Sequence, residues 1–214
     1  MTPEELRARC RKIKLFATDV DGVLTDGGLY YTEDGNEIKK FNIRDGGAFV
    51  LLRNAGIRCA IITGEQVHLV ERRAQKLEID IVRLGVRDKR QCITEIVNAL
   101  DMQPDKVAYV GDDINDLPLA SLVGLFFSVR DACFPLEKFS HHRLSRRGGE
   151  GAVREAAEII LRNAGTYSEA LRSYYARMRS MTKAEVEAIL AKMEDDHVGC
   201  REKGSPPSAR DDRV

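Results

Sequence analysis

The stretch Ile13-Lys14-Leu15-Phe16-Ala17-Thr18-Asp19-Val20-Asp21-Gly22 decides how the rest of the chain is read. Its apolar first part has the pattern of a buried strand, and an acidic turn ends it. Asp19 and Asp21 are two residues apart. Side chains of an extended chain repeat with period two, so both carboxylates are expected on one side of the strand end. Two acids placed like that repel unless a positive charge lies between them, and a hard divalent cation is the natural partner. Gly22 lets the chain turn away without putting a side chain into the site. An ordinary strand end closed by an Asp-Gly turn has the same composition, so this stretch alone leaves a structural and a chemical reading open.

Segments further along favour the chemical reading. The apolar run Cys59-Ala60-Ile61-Ile62 ends in Thr63-Gly64, and Val107-Ala108-Tyr109-Val110 ends in Gly111-Asp112-Asp113-Ile114-Asn115-Asp116. Lys89 opens a helical segment between them. In an open parallel sheet, ligands bind outside the carboxyl ends of the strands. A hydroxyl, an ammonium and further carboxylates would then converge on one crevice, whereas turn chemistry would have to explain each piece separately. Taken alone, Lys89 belongs to the charged run Arg87-Asp88-Lys89-Arg90 and reads as a solvated residue. The order of the segments gives it a role.

Outward from these motifs, strands and helices alternate. After the first strand, residues 28–41 read as a hairpin turning at Glu33-Asp34-Gly35-Asn36. Asp45 is placed to cap a helix to Asn54, which Gly56 ends. Then come a strand over 57–62, a helix over 65–77, a short strand over 79–82 and a helix capped by Asp88 and running through Leu100. A strand over 107–110, a helix over 115–121, a strand over 124–129, a short helix near Pro135, a strand over 141–144 and a helix over 151–162 complete the series. Alternation of this kind predicts a doubly wound, parallel α/β sheet with right-handed crossovers. The pair His141-His142 has no accompanying carboxylates and reads as part of a strand.

Four stretches are expected: a polar N-terminal extension over 1–12, the α/β domain over 13–164, a helical extension over 165–196 and a disordered tail over 197–214. Thr182 and Glu185 have the spacing of a capping box for the second helix of the extension. The tail is rich in Gly, Pro, Ser and charge. The 214 residues suffice for one well-buried domain plus the extension. The 34 basic and 34 acidic residues cancel, which argues against nucleic-acid or membrane-surface binding through bulk charge. No apolar stretch is long enough to span a bilayer, and the polar start lacks the apolar core of a secretory signal. The 5 cysteines, at positions 10, 59, 92, 133 and 200, are scattered without C-x-x-C spacing and read as reduced thiols in a cytoplasm.

The order Asp19-Val20-Asp21-Gly22-Val23, Thr63-Gly64, Lys89, Gly111-Asp112-Asp113-Ile114-Asn115-Asp116 resembles the haloacid-dehalogenase-type (HAD) phosphatases. Over residues 13–162 the likeness is closer to the small capless members that act on 3-deoxy-2-ulosonic acid phosphates. It is carried by Phe41-Asn42-Ile43-Arg44-Asp45-Gly46, by residues 61–64 and 109–116, and by Gly148-Gly149-Glu150-Gly151-Ala152-Val153-Arg154-Glu155. The resemblance implies a Rossmann-like HAD fold with no large cap and a small β-hairpin flap after the first strand. It implies Mg²⁺-dependent hydrolysis of 3-deoxy-D-manno-octulosonate (Kdo) 8-phosphate, or of a nine-carbon acid such as KDN 9-phosphate, through an aspartyl-phosphate. Asp19 would be the nucleophile and Asp21 the general acid and base. Asp112 would complete the metal site with the Asp19 carboxylate and the Asp21 backbone carbonyl, and Asp116 and Asp113 would act through water or from behind. Thr63 and Lys89 would hold the phosphoryl oxygens.

For the substrate, the resemblance implies Asp21, Asn42, Ile43, Arg44, Asp45, Gly46, Gly64, Glu65, Arg73, Lys76 and Lys89. The octulosonate enzymes have Arg where this chain has Glu65. Glu65 and Lys76, expected on nearly the same helix face, resemble the KDN 9-phosphate branch and lean the expectation to the nine-carbon acid. A homotetramer joined through the hairpin, with neighbouring subunits covering each uncapped site, is also implied, as is a place in cell-surface glycan synthesis (lipopolysaccharide for Kdo). Two rivals share the chemistry of the parts. A phospho-receiver also uses acids, a Thr and a Lys, but its phosphoacceptor follows the third strand. A catalytically silent scaffold would not need every one of these side chains.

Overall fold

A computed structural model describes residues 1–178 and 181–199. In chain order the elements are α1 (Pro3–Lys12), β1 (Leu15–Thr18), β2 (Tyr30–Tyr31), β3 (Glu37–Ile38), α2 (Ile43–Asn54), β4 (Arg58–Ile62), α3 (His68–Lys76) and β5 (Ile81–Arg83). They continue with α4 (Lys89–Ala99), β6 (Val107–Gly111), β7 (Leu125–Ser128), α5 (Phe134–Phe139), β8 (His142–Arg143), α6 (Ala152–Ala164), α7 (Tyr167–Met178) and α8 (Lys183–Gly199).

The main sheet has the order β5-β4-β1-β6-β7-β8, and every neighbouring pair is parallel. The chain winds outward from β1 to β5, crosses back through α4 to β6 on the other side of β1, and winds out to β8. The direction reverses between β1 and β6, and a crevice opens at that point beyond the strand ends. Asp19 follows β1 and Asp112 follows β6, so the topology delivers both to that crevice.

Every residue of β1 is buried, as expected for a strand covered on both faces. Leu15 and Ala17 belong to a core with Ile93, Ile96 and Val97 of α4, Tyr109 and Phe126. Phe16, one residue out of phase, meets Phe49 of α2 edge-on, with ring centroids 6.2 Å apart. Burying one such aromatic side chain stabilises the fold by about 2–3 kcal/mol. On the α2 side of the sheet, α1 and α2 both pack against α6. Residues 1–12, expected as an extension, therefore supply a packed helix. Thr2 and Glu5 cap it reciprocally, and Arg9, Arg11 and Lys12 lie in its last turn.

Several expected boundaries move, each for a local reason. Asn42, not Asp45, caps α2 by accepting from the Arg44 N–H at 2.9 Å. Asp45 lies inside the helix and accepts from the Arg154 N–H at 2.9 Å, at the start of α6. Helix α3 begins at His68 rather than Glu65, because the chain before it is tied to the loop after β5. Gly85 N–H donates to Glu65 O at 3.2 Å, and Val86 N–H donates to Thr63 O at 2.9 Å. Glu65 thus precedes the helix and shares no helix face with Lys76. The helix expected over 115–121 is a single 3₁₀ turn, Leu117–Leu119. The hairpin after β1 is present with a short ladder, Tyr30 opposite Ile38 and Tyr31 opposite Glu37. Its turn closes through Gly35, whose φ of +85° suits glycine.

The chain divides into a compact unit Met1–Leu171 and a second that begins at Arg172. Within the second, Thr182 and Glu185 make the expected capping box, with bonds of 2.7 and 3.3 Å. Arg172 grips Glu187 through two bonds of 2.9 and 3.1 Å. Helix α8 continues to Gly199, past the expected start of the tail, and residues 200–214 of that tail lie outside the described residues.

Candidate active site

At the end of β1 the Asp19 N–H donates to Val110 O at 3.1 Å, which ties the first motif to β6. The residue is 5% exposed. Its Oδ2 accepts from Lys89 Nζ at 2.6 Å, and the same ammonium donates to Asp116 Oδ1 at 2.6 Å. Lys89 reaches this position because Asp88 caps α4 through the Gln91 N–H, setting the lysine at the first helical residue. Asp116 is fully buried and has further donors, Tyr109 OH at 2.7 Å and the Asp112 N–H at 3.0 Å. Tyr109 was not expected in the site. Its place in the middle of an apolar strand gave no sign of a polar partner seven residues on.

One carboxylate oxygen from each of Asp19, Asp112 and Asp116 lies within 4.8 Å of the other two. Burial and the neighbouring Asp116 push Asp19 up to about 7, against the pull of Lys89. Burial and the charges of Asp19 and Asp116 push Asp112 up to about 8. Burial alone would lower the Lys89 pKa, but Asp19 and Asp116 outweigh it and hold it above its ordinary value. One ammonium therefore does not satisfy the cluster at neutral pH. Asp112 Oδ1 is buried with no hydrogen-bond partner. Hard oxygen donors, an unpartnered buried carboxylate oxygen and uncompensated negative charge suit a hard divalent cation.

Glycines make the close approach possible. Gly22 has a φ of +79°, and a Cβ there would lie 2.0 Å from Asp112 Oδ2. Gly148 passes under the turn after Asp21, where a Cβ would meet Gly22 O at 1.8 Å. The Gly148-Gly149 motif thus braces the acidic turn from below, and the Gly149 N–H donates to Val23 O at 3.0 Å.

A cleft of about 280 Å³ lies above this floor, lined by Asp19, Asp21, Gly22, Gly27, Leu29, Thr63, Gly64, Glu65, Asp112, Asp113 and Asn115. That volume suits a small ligand. Thr63 is buried, and its Oγ1 accepts from the Glu65 N–H at 3.2 Å, leaving the hydroxyl proton to donate. Asp21 lines the cleft, but its carboxylate does not join the Asp19 cluster as period two suggested. It accepts instead from Lys39 Nζ at 2.7 Å. Lys39, another residue not expected in the site, comes from the end of the hairpin.

Of the other expected substrate residues, Asn42, Ile43, Arg44, Asp45, Gly46, Arg73 and Lys76 do not line the cleft. Asn42 and Asp45 join the start of α2 to Gly149 O and to α6. Burial pushes Asp45 up to about 6. Gly46 is buried and Ile43 is 85% exposed. Arg44 lines a separate cavity of about 500 Å³ with Arg146, Glu150 and Arg154. Arg73 stacks over the Phe41 ring at 5.5 Å and reaches Asn42 O at 3.4 Å, while Arg72 and Lys76 are exposed. His141 Nδ1 accepts from the Phe126 N–H at 2.9 Å, a structural role in line with the strand reading.

Residues 43–124 match the haloacid dehalogenase-like hydrolase family. The 3-deoxy-D-manno-octulosonate 8-phosphate phosphatase KdsC of Yersinia pestis is 40% identical over 158 residues, 74% of this chain and 84% of that protein. A crystal structure of the Moraxella catarrhalis 3-deoxy-D-manno-octulosonate 8-phosphate phosphatase, in complex with magnesium, phosphate and KDO, superposes with a TM-score of 0.77 at 35% identity, over 80% of this chain and 98% of that one. The cobalt-bound deoxy-D-mannose-octulosonate 8-phosphate phosphatase of Haemophilus influenzae gives 0.72 at 37% identity, over 75% of this chain and 94% of that one.

Proposed function

The chain belongs to the haloacid dehalogenase-like hydrolases, among the 3-deoxy-D-manno-octulosonate 8-phosphate phosphatases, and is a phosphoric monoester hydrolase; from that premise we propose that it hydrolyses a 3-deoxy-2-ulosonic acid phosphate through an aspartyl-phosphate on Asp19. The observation that carries the proposal is the meeting of Asp19, Thr63 and Asp112 in one cleft, with Lys89 Nζ 2.6 Å from Asp19. We assign the chemistry to residues 13–164.

Asp19, Asp112 and the Asp21 backbone carbonyl would hold Mg²⁺. Bound there, the ion would neutralise the crowded carboxylates and polarise the phosphoryl oxygens. Asp116 already accepts three hydrogen bonds, so its part is to hold Lys89 and the Asp112 backbone in place. A carboxylate oxygen of Asp19 attacks phosphorus as the bond from phosphorus to the sugar oxygen breaks, and the Asp21 proton goes to that oxygen. Water, losing its proton to Asp21, then attacks phosphorus and breaks the bond to Asp19. Thr63 Oγ1 and Lys89 Nζ donate to the phosphoryl oxygens, where charge spreads in the transition state.

For the sugar we propose the eight-carbon acid, because the similar proteins of Yersinia pestis and Moraxella catarrhalis are octulosonate 8-phosphate phosphatases. The nine-carbon acid is the second reading. It is favoured by Glu65 on the cleft wall, since a carboxylate there repels a sugar-acid carboxylate and accepts from sugar hydroxyls. Lys76 no longer supports it, being exposed at the end of α3. Comparing kcat/KM for Kdo 8-phosphate, KDN 9-phosphate and N-acetylneuraminate 9-phosphate decides between them. Kdo 8-phosphate is expected to lead by about 10-fold or more; a lead for KDN 9-phosphate would move the assignment to the second reading.

We further propose a homotetramer built on the hairpin. Leu29, Tyr30, Tyr31 and Ile38 are 63%, 45%, 66% and 51% exposed there, and a two-stranded ribbon is marginal alone. Light scattering is expected to give the mass of four 24.0 kDa chains. A monomer at working concentration would remove this part. We place the enzyme in the cytoplasm, on the unpaired thiols of Cys10, Cys59, Cys92 and Cys133. No described helix is long and apolar enough to cross a membrane.

A further inference from the structure

Lys39 is the one buried residue within positions 29–40, and it is charged. Its side chain is 1% exposed. Along this ribbon the usual alternation is inverted. Ile38 and Lys40 are exposed, while Lys39 points in and donates to Asp21 Oδ1 at 2.7 Å and to Glu37 Oε1 at 2.9 Å. A buried ammonium is tolerated only when it is paired, and anchoring a ribbon would be done better by burying Ile38. The choice of a lysine therefore points to what it holds.

What it holds is one half of Asp21. Oδ1 receives Lys39, with Thr25 Oγ1 further off at 3.4 Å. Oδ2 is buried and has no hydrogen-bond partner, in a side chain that lines the catalytic cleft. A carboxyl group pinned at one oxygen keeps the other in a fixed direction, ready to give and take a proton.

We propose that Lys39 is a positioning residue for Asp21: by holding Oδ1 from the hairpin it aims Oδ2 at the leaving oxygen of the substrate, and so makes the seating of the hairpin a condition of proton transfer. This rests on Asp21 being the general acid. The proton moves from Asp21 Oδ2 to the sugar oxygen as its bond to phosphorus breaks, and Lys39 keeps its own protons throughout. The hairpin thereby has a task inside its own subunit besides any contact it makes with another.

The test compares two leaving groups. Kdo 8-phosphate releases a basic alkoxide that needs the proton, whereas p-nitrophenyl phosphate releases a stable phenolate that does not. In Lys39→Met, kcat/KM for Kdo 8-phosphate is expected to fall about 10²-fold, the lower end of what a general acid contributes. For p-nitrophenyl phosphate it should change by less than about 3-fold, since that ester does not call on the acid. Lys39→Arg, which keeps a donor near Oδ1, should recover much of the loss, and Lys40→Met, on the exposed side, should show none. Equal losses on both esters would mean that Lys39 only anchors the ribbon, and no loss on either would mean that Asp21 needs no such support; both overturn the proposal. Wild-type protein that cleaved neither ester would remove the phosphatase reading itself, and this inference with it.

Discussion

Asp19→Asn is expected to abolish phosphate release, lowering kcat by about 10⁴-fold or more, as loss of a covalent nucleophile does. The amide has no carboxylate oxygen with which to form an acyl phosphate, so both Kdo 8-phosphate and p-nitrophenyl phosphate should fail together. That equality separates Asp19 from Asp21, whose loss should weigh more heavily on the sugar ester in kcat/KM, because the later hydrolysis that uses Asp21 as base is common to both esters. The fold should survive. Burial and Asp116 already push the Asp19 carboxyl up to about 7, so replacing it with a neutral group removes a repulsion from the cluster. Two effects oppose each other here: relief of like charge stabilises, while the Lys89 ammonium, bonded to Asp19 at 2.6 Å, loses half its pairing. With Asp116 still bound to Lys89 at 2.6 Å, the net change in stability should stay within about 1 kcal/mol. Phosphate release, thermal melting and acid-stable labelling of the protein are the measurements. Activity retained in this variant would end the aspartyl-phosphate reading. A wild-type protein that took up phosphate and kept it, with no turnover, would be a receiver, and one with no phosphate chemistry would be a scaffold.

The parts of the site that could be read in the sequence are those whose geometry is local. Period two and an apolar run place Asp19 at a strand end, and the same reasoning places Thr63 and Asp112. Asp88 before Lys89 is a helix start that needs no tertiary information, because the cap bond reaches only to Gln91. Apart from Tyr109, whose partner Asp116 is seven residues on but across the turn that ends β6, the misses involve partners further away in the chain. Asn42 and Asp45 are equally good caps by type; what distinguishes them is Gly149 and Arg154, more than 100 residues on. Glu65 is helix-compatible, and only the strap to residues 85 and 86 keeps it out of α3. Lys39 did leave a trace. Glu37 and Lys39 share one side of a strand and Ile38 lies on the other, so either the apolar or the charged side must face inward. Choosing between them needed the position of Asp21, 18 residues earlier, which only the fold supplies.

Chelation should produce the other large effect, and its dependence on pH distinguishes a metal site from a mere acidic cluster. With the ion removed, turnover should be lost and should return on adding Mg²⁺. Stability should respond as well. Asp19 and Asp112 have ordinary values of 3.8 that the folded chain raises to about 7 and about 8. Between pH 4 and pH 8 the folded protein therefore holds protons that the unfolded chain has released, and stability falls as pH rises through this window. Each such proton is worth about 1.4 kcal/mol per pH unit. In chelator, one proton across the two units from pH 5 to pH 7 lowers Tm by on the order of 5–10 °C for a chain of this size. Saturating Mg²⁺ takes the place of those protons. At about 100 times its Kd it restores about 2.7 kcal/mol, so the gap between the melting curves with and without metal should open as pH rises and close near pH 5. Asp112→Asn should flatten the chelator curve and shrink the metal shift together, because it removes a titrating group and a ligand in one change. A gap that stays constant with pH would place the ion elsewhere. A gap that widens toward acid would contradict the raised carboxylates, because protons and metal would then not be competing for the same oxygens.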